Sequence, residues 1–215
     1  MPLPKAGELF FGIKLTSEQR EYADSIFDNI LTICNAKAGT GKSTVAVGCA
    51  KLLNQPLYYI MSPTQEKVLG FLPGGLEDKQ APYATPLLDA LTEIGEIPEK
   101  VIFSEKEFRP HAWVHIKTHT FLRGSNLKNC TVILDEFQNY TIPEARKTLT
   151  RIHDNCTVIM IGHDGQIDLP NPKKSGFLPY IKLFENKDYA KIVHLTRNFR
   201  GILANDSDRI MEVLV

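Results

Sequence analysis

A chain of 215 residues suits one folded domain and is long enough to bury a sizeable core. Its 43% hydrophobic and 23% charged residues are those of an ordinary soluble globular protein. The formal net charge is zero, which excludes a global basic field, so any nucleic-acid binding must use a local patch.

The first residues, to about position 15, carry prolines and glycines and are expected to form a loose lead-in. Thr16 followed by Gln19 is a helix start of the capping-box kind, and Tyr22, Ala23, Ile26, Phe27 and Ile30 follow at helical spacing. "ILTIC" (30–34) is a short β-branched run, followed by a Gly-rich loop and a helix over 42–53. Further strands are expected at "LYYIM" (57–61), "WVHIK" (113–117), "TVILD" (131–135), "TVIMIG" (157–162) and "KIVHL" (191–195). The stretch 68–95 is first Gly- and Pro-rich and then helical, and reads as a lid-like insertion in a single domain spanning 1–215. No internal repeat stands out. Apolar strands divided by loops and helices predict an α/β fold, a mostly parallel sheet with helices on both faces. Ligands on such sheets bind beyond the carboxyl ends of the strands.

Four cysteines, Cys34, Cys49, Cys130 and Cys156, lie far apart in apolar runs without a CxxC pair, so a zinc knuckle is not expected. They read as small buried hydrophobes in a reducing compartment. The N-terminus lacks a signal-peptide pattern and no apolar run is long enough to span a bilayer, which points to a cytoplasmic protein without a membrane partner.

The chemistry begins at "AKAGTGKST" (36–44). It fits the phosphate-loop pattern, between a strand and a helix as that pattern requires. Glycines let backbone N–H groups turn toward phosphates, and the helix N-terminus adds its dipole. Ala38, Gly39, Thr40, Gly41, Lys42, Ser43 and Thr44 are therefore the expected nucleotide-binding positions, with Lys42 on the outer phosphates and Ser43 a ligand of Mg²⁺. "TVILDEFQN" (131–139) ends a strand in two acids. Asp135 would hold Mg²⁺, directly or through water, and Glu136 would polarise the attacking water. In "IGHDGQID" (161–168), Gln166 can donate to the γ-phosphate and report its presence. In "LTRNFRG" (195–201), Arg200 suits an arginine finger, with Arg197 as a second candidate.

Together these segments resemble superfamily 1 helicase-type ATPases, and more closely the PhoH-like family, from about position 15 to 201. The superfamily pattern shows in "LTSEQREYADSI", the phosphate loop, "MSPTQE", "LDEFQN", "GHDGQ" and "NFRG". The PhoH-like features are "GFLPGGLEDKQAPYATPLLDAL", "THTFLRGSNLKNCTVILDEFQN", "LTRI" and "GQIDLP". The resemblance implies a three-layer RecA-like P-loop NTPase, with Gln19 in an adenine-contacting glutamine motif. It also implies an ATPase acting with RNA or another single-stranded nucleic acid. Ala36 stands where the family usually has Gly, and His163 where it usually has Asp.

Thr64, Thr118, His119 and Arg123 lie where backbone phosphates could be met, and Tyr83 and Phe121 offer either stacking faces or packing surface. His111, His115 and His119 alternate, which would place them on one strand face, as a metal site or a solvated edge. A single RecA-like domain leaves the γ-phosphate side of its site open. A neighbouring subunit is therefore expected to supply Arg200 in trans, in a homo-oligomeric ring, a hexamer by family-type architecture. Two function classes follow: an ATPase that remodels nucleic acid, or a nucleotide-dependent switch that barely hydrolyses. A small-molecule kinase fits poorly, since the strand ends match helicase motifs in place of an acceptor pocket.

Overall fold

The structure, a computed structural model, describes residues 3–5, 7–62, 84–118, 122 and 126–207. Helix α1 (Ser17–Asp28) leads into β1 (Leu31–Ala36), the loop, and α2 (Lys42–Leu53). Then come β2 (Leu57–Met61), α3 (Thr85–Glu93), the short α4 (Pro98–Val101), β3 (Val114–Thr118) and β4 (Thr131–Leu134). Helix α5 (Ile142–Leu149), β5 (Thr157–Gly162), α6 (Phe177–Phe184), β6 (Ala190–Leu195) and α7 (Ile202–Ser207) complete the chain order. The six strands form one sheet in the order β3-β2-β4-β5-β1-β6, with every neighbouring pair parallel.

The strands are buried on both faces, so successive side chains feed two separate cores. Cys34, Tyr59, Met61, Ile133, Ile159 and Ile161 face α1, α2 and α3. Ile33, Ile60, Val132, Leu134, Val158 and Met160 face the side covered by Ala145 of α5 and Phe177 of α6. The result is the expected three-layer P-loop NTPase fold.

Two sequence expectations change. The lead-in is anchored. Phe10 and Ile13 pair across a two-residue turn in which Phe11 (φ 49°) and Gly12 (φ 81°) both take positive φ, the geometry of a tight hairpin. Phe10 is 1% exposed, and a Cβ added to Gly48 of α2 would lie 2.4 Å from its ring. Gly48 costs its helix about 1 kcal/mol against Ala, and here it makes room for that ring. Phe10→Ala is expected to destabilise the fold by about 3 kcal/mol, read from urea unfolding midpoints. The second change concerns the insertion. Its helical part, α3, buries Leu87, Ala90 and Leu91 in the same core as α2, so it belongs to the body of the domain. The remainder of the lid-like stretch, 68–83, lies outside the described residues.

A short repeat also exists where none was expected. "NCTVI" occurs at 129–133 and 155–159. The two copies are neighbours, with Thr131 opposite Thr157, Val132 opposite Val158 and Ile133 opposite Ile159. Parallel, in-register pairing sets like beside like. The Asn155 amide donates to Asn129 Oδ1 at 2.8 Å, and the Cys130 and Cys156 sulfurs are 3.5 Å apart. All four cysteines are buried thiols, as expected. His111 lies in a turn before β3, so it shares no strand face with His115, whose ring stacks on Tyr58 with centroids 4.8 Å apart. His119 is outside the described residues, and among the described ones no group of three or more His, Cys, Asp or Glu could hold a metal.

Candidate nucleotide site

Strand β1 ends at Ala36, and the chain turns through Gly39 and Gly41, both at φ 78°, where a side chain would be strained. Gly41 is the N-cap of α2 and no side chain caps that helix, so its first N–H groups face the loop without a side-chain acceptor. Thr40 is buried and its hydroxyl donates to the Lys37 carbonyl at 3.0 Å. Lys42 Nζ donates to the same carbonyl at 3.3 Å. Helix α1 steadies the loop from outside. The Thr16–Gln19 capping box forms as its sequence predicts, and the Gln19 amide reaches on to donate to the Thr40 carbonyl at 3.0 Å.

Beyond β4 the chain makes its acidic turn. Asp135 is 2% exposed and accepts a hydrogen bond from the Tyr59 hydroxyl. Burial, and then the neighbouring Glu136, push its carboxyl up to about 6, against the opposing pull of Tyr59 and Lys42. Asp135, at the carboxyl end of β4, and the Ser43 hydroxyl on the cleft wall are the oxygen donors that could hold a divalent cation. Glu136 takes the left-handed conformation, φ 49° and ψ 45°, which is strained for a residue with a long side chain. Such strain persists where the surroundings hold it, and here Gln138 does so. Its amide donates to the Glu136 carboxylate and, at 3.0 Å, to the Gln166 carbonyl, while its oxygen accepts from His163 N–H at 3.2 Å. Asn139 adds a second tie, exchanging hydrogen bonds with Asp168 at 2.7 and 3.2 Å.

The third wall comes from the segment after β6. Phe199 N–H donates to the Gly39 carbonyl at 2.8 Å, and a Cβ on Gly39 would lie 2.5 Å from Asn198 Oδ1 and 2.6 Å from Arg200 Cγ. Glu18 clamps this segment, accepting from Thr196 N–H at 2.8 Å and from its hydroxyl at 2.6 Å, which holds the Glu18 carboxyl below its ordinary value. Loop, acidic turn and this segment enclose one cleft of about 680 Å³, lined among others by Gly41, Lys42, Ser43, Thr44, Glu136 and Arg200. That volume is in the range of small-molecule pockets.

The family model described as PhoH-like protein matches residues 13–200. The chain belongs to the PhoH-like family. It is 37% identical over 167 residues to a PhoH-like protein of Synechocystis sp., covering 75% of this chain and 49% of that one. It is 32% identical over 190 residues to a PhoH-like protein of Mycobacterium bovis, covering 84% of this chain and 52% of that one. The chain thus spans about half the length of the curated relatives it matches. Among solved structures, the large terminase of a thermophilic bacteriophage superposes with a TM-score of 0.60 at 12% identity, covering 91% of this chain and 50% of that one. That likeness is one of fold alone.

Within this PhoH-like domain, most of the expected residues of the loop, with Gln19, Glu136 and Arg200, converge on the cleft. Asp135 is buried behind its wall. Arg200 calls for a correction. It was expected to complete a neighbour's site, yet it lies against its own phosphate loop. The reason is strand order: β6 neighbours β1, with Leu195 opposite Ala36, so the chain leaving β6 emerges beside the loop leaving β1. In this chain the Arg200 stem therefore packs beside Gly39 of the loop, and a role in cis needs no neighbouring subunit. Gln166 is exposed and outside the cleft lining, and joins the acidic turn only through its carbonyl. His163 closes its own turn, with Nδ1 accepting from Gly165 N–H at 3.0 Å, and Asp164 is exposed. Thr118 is 1% exposed at the end of β3, which removes it as a phosphate contact in this conformation. Thr64, Tyr83, Phe121 and Arg123 lie outside the described residues. The sequence reading missed Glu18 and Gln138. Both adjoin residues it did single out, Gln19 and the acidic pair, and that adjacency was the available signal.

Proposed function

We propose that this chain is an ATPase domain that binds ATP with Mg²⁺ and couples its turnover to the binding or remodelling of RNA or another single-stranded nucleic acid. The observation that carries the ATPase reading is the shared wall: Lys42, Ser43, Glu136 and Arg200, from three distant parts of the chain, line one cleft. The loop N–H groups and Lys42 would hold the phosphates. Glu136 would accept hydrogen bonds from the attacking water and orient it. Arg200 would stabilise charge on the transferring phosphoryl group from within the same chain. Asp135 and Ser43 would hold Mg²⁺, which when bound neutralises charge on the phosphate oxygens. Gln138 would link the state of Glu136 to the segment carrying Gln166. Support for a nucleic-acid task is the helicase-like order of the motifs along the chain.

The test is magnesium-dependent phosphate release from ATP, with and without single-stranded RNA or DNA, and oligomer mass measured in the same buffer. Turnover that rises with nucleic acid and vanishes in Lys42→Ala is the expected result. ATP binding with no release above the Lys42→Ala background would identify a nucleotide-dependent switch instead.

A further inference from the structure

Part of the cleft is not used by the phosphate chemistry. Ile13 and Pro86, backed by the buried Phe10, bring apolar surface to it, and Asp89 and Glu93 of α3 bring two carboxylates. These acids are one helical turn apart on the same face of α3, and both are exposed. The Thr44 hydroxyl donates to Glu93 Oε2. Thr44 follows the Lys42–Ser43 pair, at the part of a phosphate loop that meets the α- and β-phosphates. The ribose is joined to the α-phosphate, so a nucleotide held by the loop would carry its ribose past Thr44 and therefore past Glu93.

Two features make this placement informative. Glu93 is the last residue of α3, with no basic residue in that turn, and a carboxylate there opposes the helix dipole. A carboxylate beside a triphosphate is also repelled by it, so the partners that suit it there are neutral hydroxyl donors, of which Thr44 is one. The expected reader of the nucleoside, Gln19, is already engaged at both ends of its amide. Its oxygen accepts from Thr16 N–H at 3.1 Å, and its nitrogen donates to the Thr40 carbonyl at 3.0 Å.

Resting on the ATP reading above, we propose that Glu93, with Asp89, accepts hydrogen bonds from the ribose 2′- and 3′-hydroxyls. The cleft thereby selects ribonucleoside over deoxyribonucleoside triphosphates. Carboxylates serve this purpose in dinucleotide sites, where an acidic side chain binds the ribose diol. The apolar surface of Ile13 and Pro86 is left for the base.

Titration calorimetry of the intact chain with Mg²⁺ and either ATP, 2′-deoxyATP or 3′-deoxyATP tests this. The parent is expected to bind ATP about tenfold more tightly than either deoxy form. Glu93→Ala is expected to bring the preference for ATP over 2′-deoxyATP close to unity, chiefly by weakening ATP, and Asp89→Asn to reduce it in part. Equal binding of ATP and the deoxy forms by the parent overturns the proposal. So does a Glu93→Ala variant that weakens all three alike, since Glu93 then only props Thr44. Thr44→Val separates that case, because loss of the prop alone would reproduce it. If the parent binds none of the three, the ATP reading itself falls, a result distinct from equal binding.

Discussion

Glu136→Gln is expected to lower phosphate release from ATP by about 10²–10⁴-fold while ATP binding persists, the range set by removing a positioned general base. The substitution keeps the shape of the side chain and removes its charge. Glu136 lines the cleft that also holds Lys42 and Arg200. Its backbone is held at φ 49°, a conformation costing about 1 kcal/mol or more for an L-residue, and Gln138 steadies its carboxylate. Backbone strain of this kind clusters at active sites, which makes Glu136 the carboxylate to test. Single-turnover phosphate release, with binding measured separately, checks the prediction. A variant that hydrolyses at the parental rate would show that the water is polarised elsewhere.

Asp135→Asn is expected to stabilise the nucleotide-free protein while abolishing magnesium-dependent turnover. The Asp135 carboxyl titrates at about 6 in the folded chain, against an ordinary 3.8. The unfolded chain therefore releases this proton first, and folded stability falls as pH rises between those values. The full loss, about 3 kcal/mol, is present above the folded value and absent below the ordinary one. Asn keeps an acceptor for the Tyr59 hydroxyl and carries no charge to bury. Urea midpoints should favour the variant by up to about 3 kcal/mol at about pH 7.5 and coincide with the parent below about pH 4. A variant that is less stable at neutral pH would show that the buried charge is better compensated than Lys42 and Tyr59 allow. The trade is the common one at functional sites, where a group that costs stability is kept for its ligand.

Much of the domain was legible because its signals are local. The strands expected at 57–61 and 157–162 and the helix at 42–53 appear with those bounds. Each rests on a periodicity contained within a few residues. The Thr16–Gln19 cap, the phosphate loop between strand and helix, and the acids after β4 are likewise local chemistry.

What local pattern does not contain is which strand lies beside which. The order β3-β2-β4-β5-β1-β6 decided that Arg200 meets its own phosphate loop, because β6 lies next to β1. The same order set the two "NCTVI" copies side by side and brought Cys130 against Cys156. Side-chain reach across the fold made Glu18 a clamp on Thr196, Gln138 a tie to the Gln166 carbonyl, and Glu93 a partner of Thr44. Burial turned an apparent lead-in into an anchored hairpin, because Gly48 leaves space for Phe10. The sequence by itself therefore determined most strands, the helices beside the phosphate loop, the fold class and the family, since each is written in spacing along the chain. Only the tertiary structure decided that Arg200 lies beside the phosphate loop of its own chain and that Gln138 ties the acidic turn to Gln166, since those depend on groups far apart in sequence meeting across a packed sheet.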